Sequence, residues 1–129
     1  MKLPASLLAV ALAACAHAQA GAAPQQVNLY IWSEYLAPDT LASFEEKTGI
    51  HVVVDHFDLL ETVETKLLTG GSGYDLVLTA GQHLSRAIAS GALRELDKTQ
   101  LPHFAGLDDE FTQHMAKFDP SNRYAGLYV

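Results

Sequence analysis

The stretch "VNLYIWSEYLAPDTLASFEEKTGIHVVVDHFDLLETVETKLLTGGSGYDLVLT", Val27–Thr79, decides the fold. "VNLYIW" is β-branched and aromatic with rough alternation, the pattern of a strand. "PDTLASFEEKTG" follows as a helix. Pro38 is expected at a first helical position and Asp39 in the first turn, Leu41 and Phe44 share one face, Lys47 lies near the end, and Gly49 is the stop. "IHVVVDHF", Ile50–Phe57, has a continuous apolar middle and is expected as a strand buried on both faces. "DLLETVETKLLTG" puts Leu59, Leu60, Val63 and Leu67 on one helical face, with Asp58 as expected N-cap and Glu61 three residues on, as in a capping box. "GGSG", Gly70–Gly73, is a turn, and "YDLVLT", Tyr74–Thr79, a third short strand.

The remainder is weaker. "QHLSRAIASG" makes a third helix with Leu84, Ala87 and Ile88 inward and Gly91 past its end. "KTQLPHFAGL" is a proline-containing loop, and "DDEFTQHMAKF" is a helix led by acids, which its N-terminus favours. "SNRYAGLYV" is expected as a strand entered through a turn. Strand-helix alternation with helices of about ten residues argues an α/β fold, a mostly parallel sheet covered by helices. In open sheets of this kind ligands bind beyond the carboxyl ends of the strands. Trp32–Tyr35 and Thr79–Gln82 both fall on that edge.

The 129 residues, 49% of them hydrophobic, suit one domain or one lobe with a buried core. The net charge of −7, from 8 basic and 15 acidic residues, argues against nucleic acid and anionic membrane surfaces as partners. The start, "MKLPASLLAVALAACAHAQA", combines Lys2, an apolar run too short to span a bilayer, and small-residue sites ending at Ala18 or Ala20, the layout of a secretory signal over 1–20. Residues 21–26 then form a flexible lead-in, and 27–129 the folded lobe. Cys15 is the sole cysteine, so an intrachain disulfide and a cysteine metal site are both excluded. Its setting, "LAAC", is similar to the lipobox of bacterial lipoproteins; a signal of 1–14 with lipidated Cys15 is the rival of ordinary cleavage.

No enzyme signature emerges and no cofactor is expected. "GGSG" precedes a strand, whereas a dinucleotide fingerprint leads from a strand into a helix. Ser72 and Ser85 lack nucleophile-elbow surroundings. The histidines are scattered over separate elements without zinc spacing. Asp108-Asp109-Glu110 and Glu45-Glu46 read as solvated helix faces, since paired catalytic carboxylates oppose each other across a cleft.

Four segments in order, "YIWSEYLAPDTLASFEEKTGIHVVVDHFD", "ETKLLTGGSGYDLVLT", "GALRELDKTQLP" and "FDPSNRYAGLYV", resemble the N-terminal part of the bacterial periplasmic polyamine-binding proteins, the putrescine and spermidine receptors of ABC importers. The resemblance implies a periplasmic binding protein-like lobe, the first of two that close about a hinge, in a periplasmic and monomeric protein that hands its ligand to a membrane permease. It also implies that the chain ends within that first lobe and by itself binds polyamines weakly or not at all. Trp32 and Tyr35 would be aromatic walls of the cleft, Ser33 a hydrogen-bond partner and Glu34 an acidic group for an ammonium. The chemistry agrees, because a diammonium ligand calls for carboxylates at its ends and aromatic faces along its methylenes. Taken without the resemblance, Trp32 reads equally as a rim aromatic, Glu34 as a solvated loop acid and Ser33 as a turn cap. One departure stands out. Where the family commonly has Val-Pro-Ser after the third strand, this chain has Leu78-Thr79-Ala80, so a serine contact is missing and Gln82 or Thr79 is its expected replacement. Two other readings follow: a receptor for a different small organic solute, or a one-lobe sensory or interaction module without transport.

Overall fold

The structure, a computed structural model, describes residues 25–128. The expected signal, its cleavage sites and Cys15 lie outside the described residues. Strand β1 (Gln26–Trp32) runs parallel to β2 (His51–Phe57) on one side and to β3 (Leu76–Val77) on the other, giving the sheet order β2-β1-β3. Helices α1 (Thr40–Thr48), α2 (Leu60–Leu68), α3 (Gly81–Ala89) and α4 (Asp109–Met115) follow in chain order, so the expected α/β class holds. From β1 the chain steps to β2 and then back across to β3. Parallel β-α-β units cross over right-handed as a rule, which for two steps in opposite directions puts the connecting helices on opposite faces and makes the carboxyl ends of β1 and β3 a topological switch point.

The packing follows from strand alternation. Tyr30 and Phe57 point to one face and are buried with Val63 and Leu67 of α2 and Ala87 of α3. Tyr30 stacks on Tyr74 at 4.5 Å and meets Phe57 edge-on at 4.9 Å. Lys66 lies over the Tyr30 ring at 4.3 Å and donates to the Tyr74 hydroxyl at 2.8 Å, a bond that raises its pKa. Leu29 and Ile31 point to the opposite face and are also buried. Between α2 and α3 the Glu64 carboxylate receives Arg86 through both its Nε and Nη2, the latter at 2.7 Å, and lies 2.8 Å from His83 Nδ1. Those contacts, Arg86 foremost, lower the Glu64 pKa to about 2.

Several expectations change. Helix α1 starts at Thr40, so Pro38 lies before it and Asp39 sits at the cap position without a side-chain cap bond. Gly49 does end the helix, in a left-handed conformation at φ 70° with its N–H on the Glu45 carbonyl. At α2 the cap position belongs to Leu59, and Asp58 makes no cap bond. Gln26, expected in the lead-in, is the first residue of β1. Strand β2 is exposed along much of its length rather than buried on both faces, because it is an edge strand with β1 as its sole neighbour among the described residues. Strand β3 shrinks to two residues, since Asp75 already turns its side chain onto Asn28 and the chain leaves the ladder after Leu78.

The expected strand after Ser121 does not form among the described residues. Instead Pro120–Asn122 make a 3-10 turn, and the wholly buried carboxylate of Asp119 accepts from the backbone N–H groups of Arg123, Tyr124 and Ala125 at 3.0, 2.8 and 2.9 Å. Three consecutive N–H groups given to one carboxylate are not available to a ladder.

Candidate binding edge at the carboxyl ends of the strands

Register defines the site. The last ladder pair of β1 and β2 is Trp32 with Phe57, so Ser33 and Asp58 are the next matched positions, just beyond the sheet. The Trp32 ring rests on buried Phe57 at a centroid distance of 4.8 Å, which fixes one face of the indole and leaves it part-exposed. The chain then turns back at once. Tyr35 N–H bonds to the Trp32 carbonyl at 3.4 Å, closing a four-residue turn, and Glu34 takes a left-handed φ of 64° inside it. For a residue with a Cβ that conformation costs about 1 kcal/mol, and such outliers gather at functional sites.

The turn sets the aromatics together. Trp32 and Tyr35 lie 6.3 Å apart, tilted by 31°, and Tyr35 stacks with Tyr128 at 6.2 Å. The Tyr128 hydroxyl donates to the Tyr35 carbonyl. Tyr35 and Tyr128 are exposed and Trp32 part-exposed at the sheet edge, with Glu34 and Ser33 exposed beside them. Ser33 Oγ donates to Asp58 Oδ1 at 3.4 Å, a long hydrogen bond. Aromatic faces, hydroxyl lone pairs and carboxylates together accept hydrogen bonds and attract cations.

Across the switch point, Ala80 is exposed ahead of α3 and Gln82 is exposed in its first turn. No hydrogen bond joins Gln82 to the Trp32–Tyr35 turn among the described residues. Thr79 behaves differently. Its hydroxyl is buried with no hydrogen-bond partner among the described residues.

Two residues of this edge escaped the sequence reading. Asp58 reads as a helix cap, and its place beside Ser33 emerges once β1 and β2 are set in register. Tyr128 lies 93 positions from Tyr35 and reaches it because the Asp119 turn redirects the chain. "DPSN", Asp119–Asn122, is itself a legible turn signal.

No protein-family model matches the chain. It is 42% identical over 123 residues to the putrescine-binding periplasmic protein PotF of Escherichia coli, an alignment covering 95% of this chain and 33% of that protein. It is 41% identical over 125 residues to the putrescine-binding periplasmic protein SpuD of Pseudomonas aeruginosa, covering 96% and 34% respectively. The chain is similar, over nearly all of its length, to the periplasmic polyamine-binding proteins. It spans about a third of the length of these curated relatives. Solved structures agree with this similarity. The spermidine/putrescine substrate-binding protein PotD of Streptococcus pneumoniae superposes with a TM-score of 0.75 at 30% identity, covering 81% of this chain and 32% of that one. The TpPotD lipoprotein of Treponema pallidum gives 0.76 at 28% identity, covering 81% and 33%. The relatives are named as binding proteins, and the architecture is that of a periplasmic binding protein.

Proposed function

We propose that residues 27–129 form the N-terminal lobe of an extracytoplasmic polyamine receptor, the substrate-binding component of an ABC importer that delivers putrescine or spermidine to a membrane permease without chemistry. The observation that carries this reading is the Trp32–Tyr35 turn. It presents aromatic faces and hydrogen-bond acceptors at the switch point of a parallel sheet, in a chain similar to polyamine-binding proteins. Trp32 and Tyr35 flank the ligand's methylenes, and Glu34 and Ser33 take an ammonium. Gln82 approaches from the start of α3 in place of the missing serine hydroxyl. One cation–π contact contributes up to about 2 kcal/mol when desolvated, and a micromolar dissociation constant corresponds to about 8 kcal/mol, so several such contacts act together. Residues 1–20 serve as the secretory signal, with lipidation at Cys15 after cleavage of 1–14 as the rival processing. The receptor works as a periplasmic monomer, and closure on the ligand is what the permease reads.

Calorimetric titration of the protein, at the length its cells produce, with putrescine and spermidine should give saturable binding, and Trp32→Phe should weaken it. Failure of all polyamines to bind by calorimetry refutes the reading. A second reading, a receptor for a different organic solute, is favoured by one observation: Ala80 offers a methyl group where the polyamine receptors commonly have a serine. A panel that includes amino acids and other amines separates the two.

A further inference from the structure

We infer that Asp58 is a binding residue of this edge, a carboxylate that takes one ammonium group of the ligand jointly with the Ser33 hydroxyl. The inference rests on the polyamine reading and names the partner of the cation more closely. Asp58 has the sequence signature of a helix cap, yet Leu59 holds the cap position of α2 and the Asp58 carboxylate bonds to no α2 backbone N–H. Among the described residues its one hydrogen-bond partner is Ser33 Oγ at 3.4 Å, and it takes part in no ion pair. It is exposed. An exposed carboxylate with neither a capping role nor a cation has acceptor capacity to spare.

Register places that capacity at the site. Trp32 and Phe57 are paired across the ladder and in ring contact at 4.8 Å, and the residues that follow them are Ser33, in the Trp32–Tyr35 turn, and Asp58, its hydrogen-bond partner at the strand ends. A hydroxyl has one proton and two lone pairs. When Ser33 donates its proton to Asp58, the lone pairs of the hydroxyl and of the carboxylate remain to accept, so the pair offers acceptors. An ammonium, which has donors alone, matches that polarity; a carboxylate or carbonyl does not. The Ser33–Asp58 pair thus selects for cations by the direction of its hydrogen bonds as well as by charge.

The test uses the protein at the length its cells produce, with putrescine as the probe, in calorimetric titrations of the unsubstituted protein, Asp58→Asn, Asp58→Glu and Ser33→Ala, each with its thermal midpoint. Asp58→Asn should weaken putrescine binding tenfold or more, the size of a lost charge-assisted hydrogen bond, while the midpoint stays put because no helix cap is removed. Asp58→Glu should recover part of the affinity. Asp58→Asn binding as tightly as the unsubstituted protein overturns the inference and leaves the polyamine reading intact. A lowered midpoint with unchanged affinity also overturns it, because Asp58 would then be structural. An unsubstituted protein that binds no putrescine overturns the polyamine reading first and this inference with it.

Discussion

Replacing Asp119 tests the device that brings the C-terminal segment to the site. Its side chain is 0% exposed and holds three backbone N–H groups, those of Arg123, Tyr124 and Ala125, at 2.8 to 3.0 Å. Oδ1 serves Arg123, and Oδ2 serves both Tyr124 and Ala125. In Asp119→Ala all three donors lose their acceptor at a buried position. At about 1.5 kcal/mol for each unsatisfied group, the loss is about 4 to 5 kcal/mol. That is a large share of the roughly 5 to 15 kcal/mol that keeps a domain folded. Asp119→Asn should be milder. Its single amide oxygen can keep the Oδ2 role for Tyr124 and Ala125, whereas its NH2 meets the Arg123 N–H donor to donor, for a loss of about 2 kcal/mol. Urea denaturation followed by Trp32 fluorescence reads both values, and amide exchange of Arg123, Tyr124 and Ala125 reads the bonds themselves. The ordering Ala worse than Asn is specific to this arrangement. A loss below about 1 kcal/mol for Asp119→Ala, or unchanged exchange rates at those amides, would refute the reasoning.

Four further outcomes are expected. Glu64 has a carboxyl pKa lowered from 4.5 to about 2 by Arg86 and, less strongly, His83, so the α2–α3 link contributes its full stability above about pH 4.5 and loses it as the pH falls toward 2; acid titration of Glu64→Gln should be flatter over that window. Leu84 is 1% exposed, and Leu84→Ala should cost about 3 kcal/mol in a denaturant melt. Trp32→Ala should weaken polyamine binding by calorimetry at least tenfold, since one desolvated cation–π contact is worth up to about 2 kcal/mol. Ala80→Ser returns a hydroxyl to the switch point and should tighten putrescine binding several-fold, one hydrogen bond contributing about 1 kcal/mol; unchanged affinity would show that the ligand does not reach Ala80.

The sequence by itself determined the elements whose signals are local. The alternating aromatic run of β1, Gly49 ending α1, Val63 and Leu67 on the inner face of α2, and the acids leading α4 depend on neighbours within a few residues, and each reappears in the structure, whereas Leu59, expected on that face, caps the helix and is exposed. The alternation of strand and helix likewise fixed a parallel α/β sheet, and with it the edge at which Trp32–Tyr35 stands. Tertiary structure decided what depends on partners far along the chain. "HVVVD" looks buried, and its exposure follows from lying at an edge, which no local pattern reports. Asp58 looks like a cap, and it became a neighbour of Ser33 once two strands were set in register across 25 residues. The segment after Ser121 looks like a strand, and it was denied a ladder by the carboxylate of Asp119, which had taken its N–H groups. Tyr128 met Tyr35 for the same reason. Local propensity is set by a residue's own backbone and nearest neighbours, whereas a hydrogen bond goes to whichever partner the whole fold brings within about 3 Å.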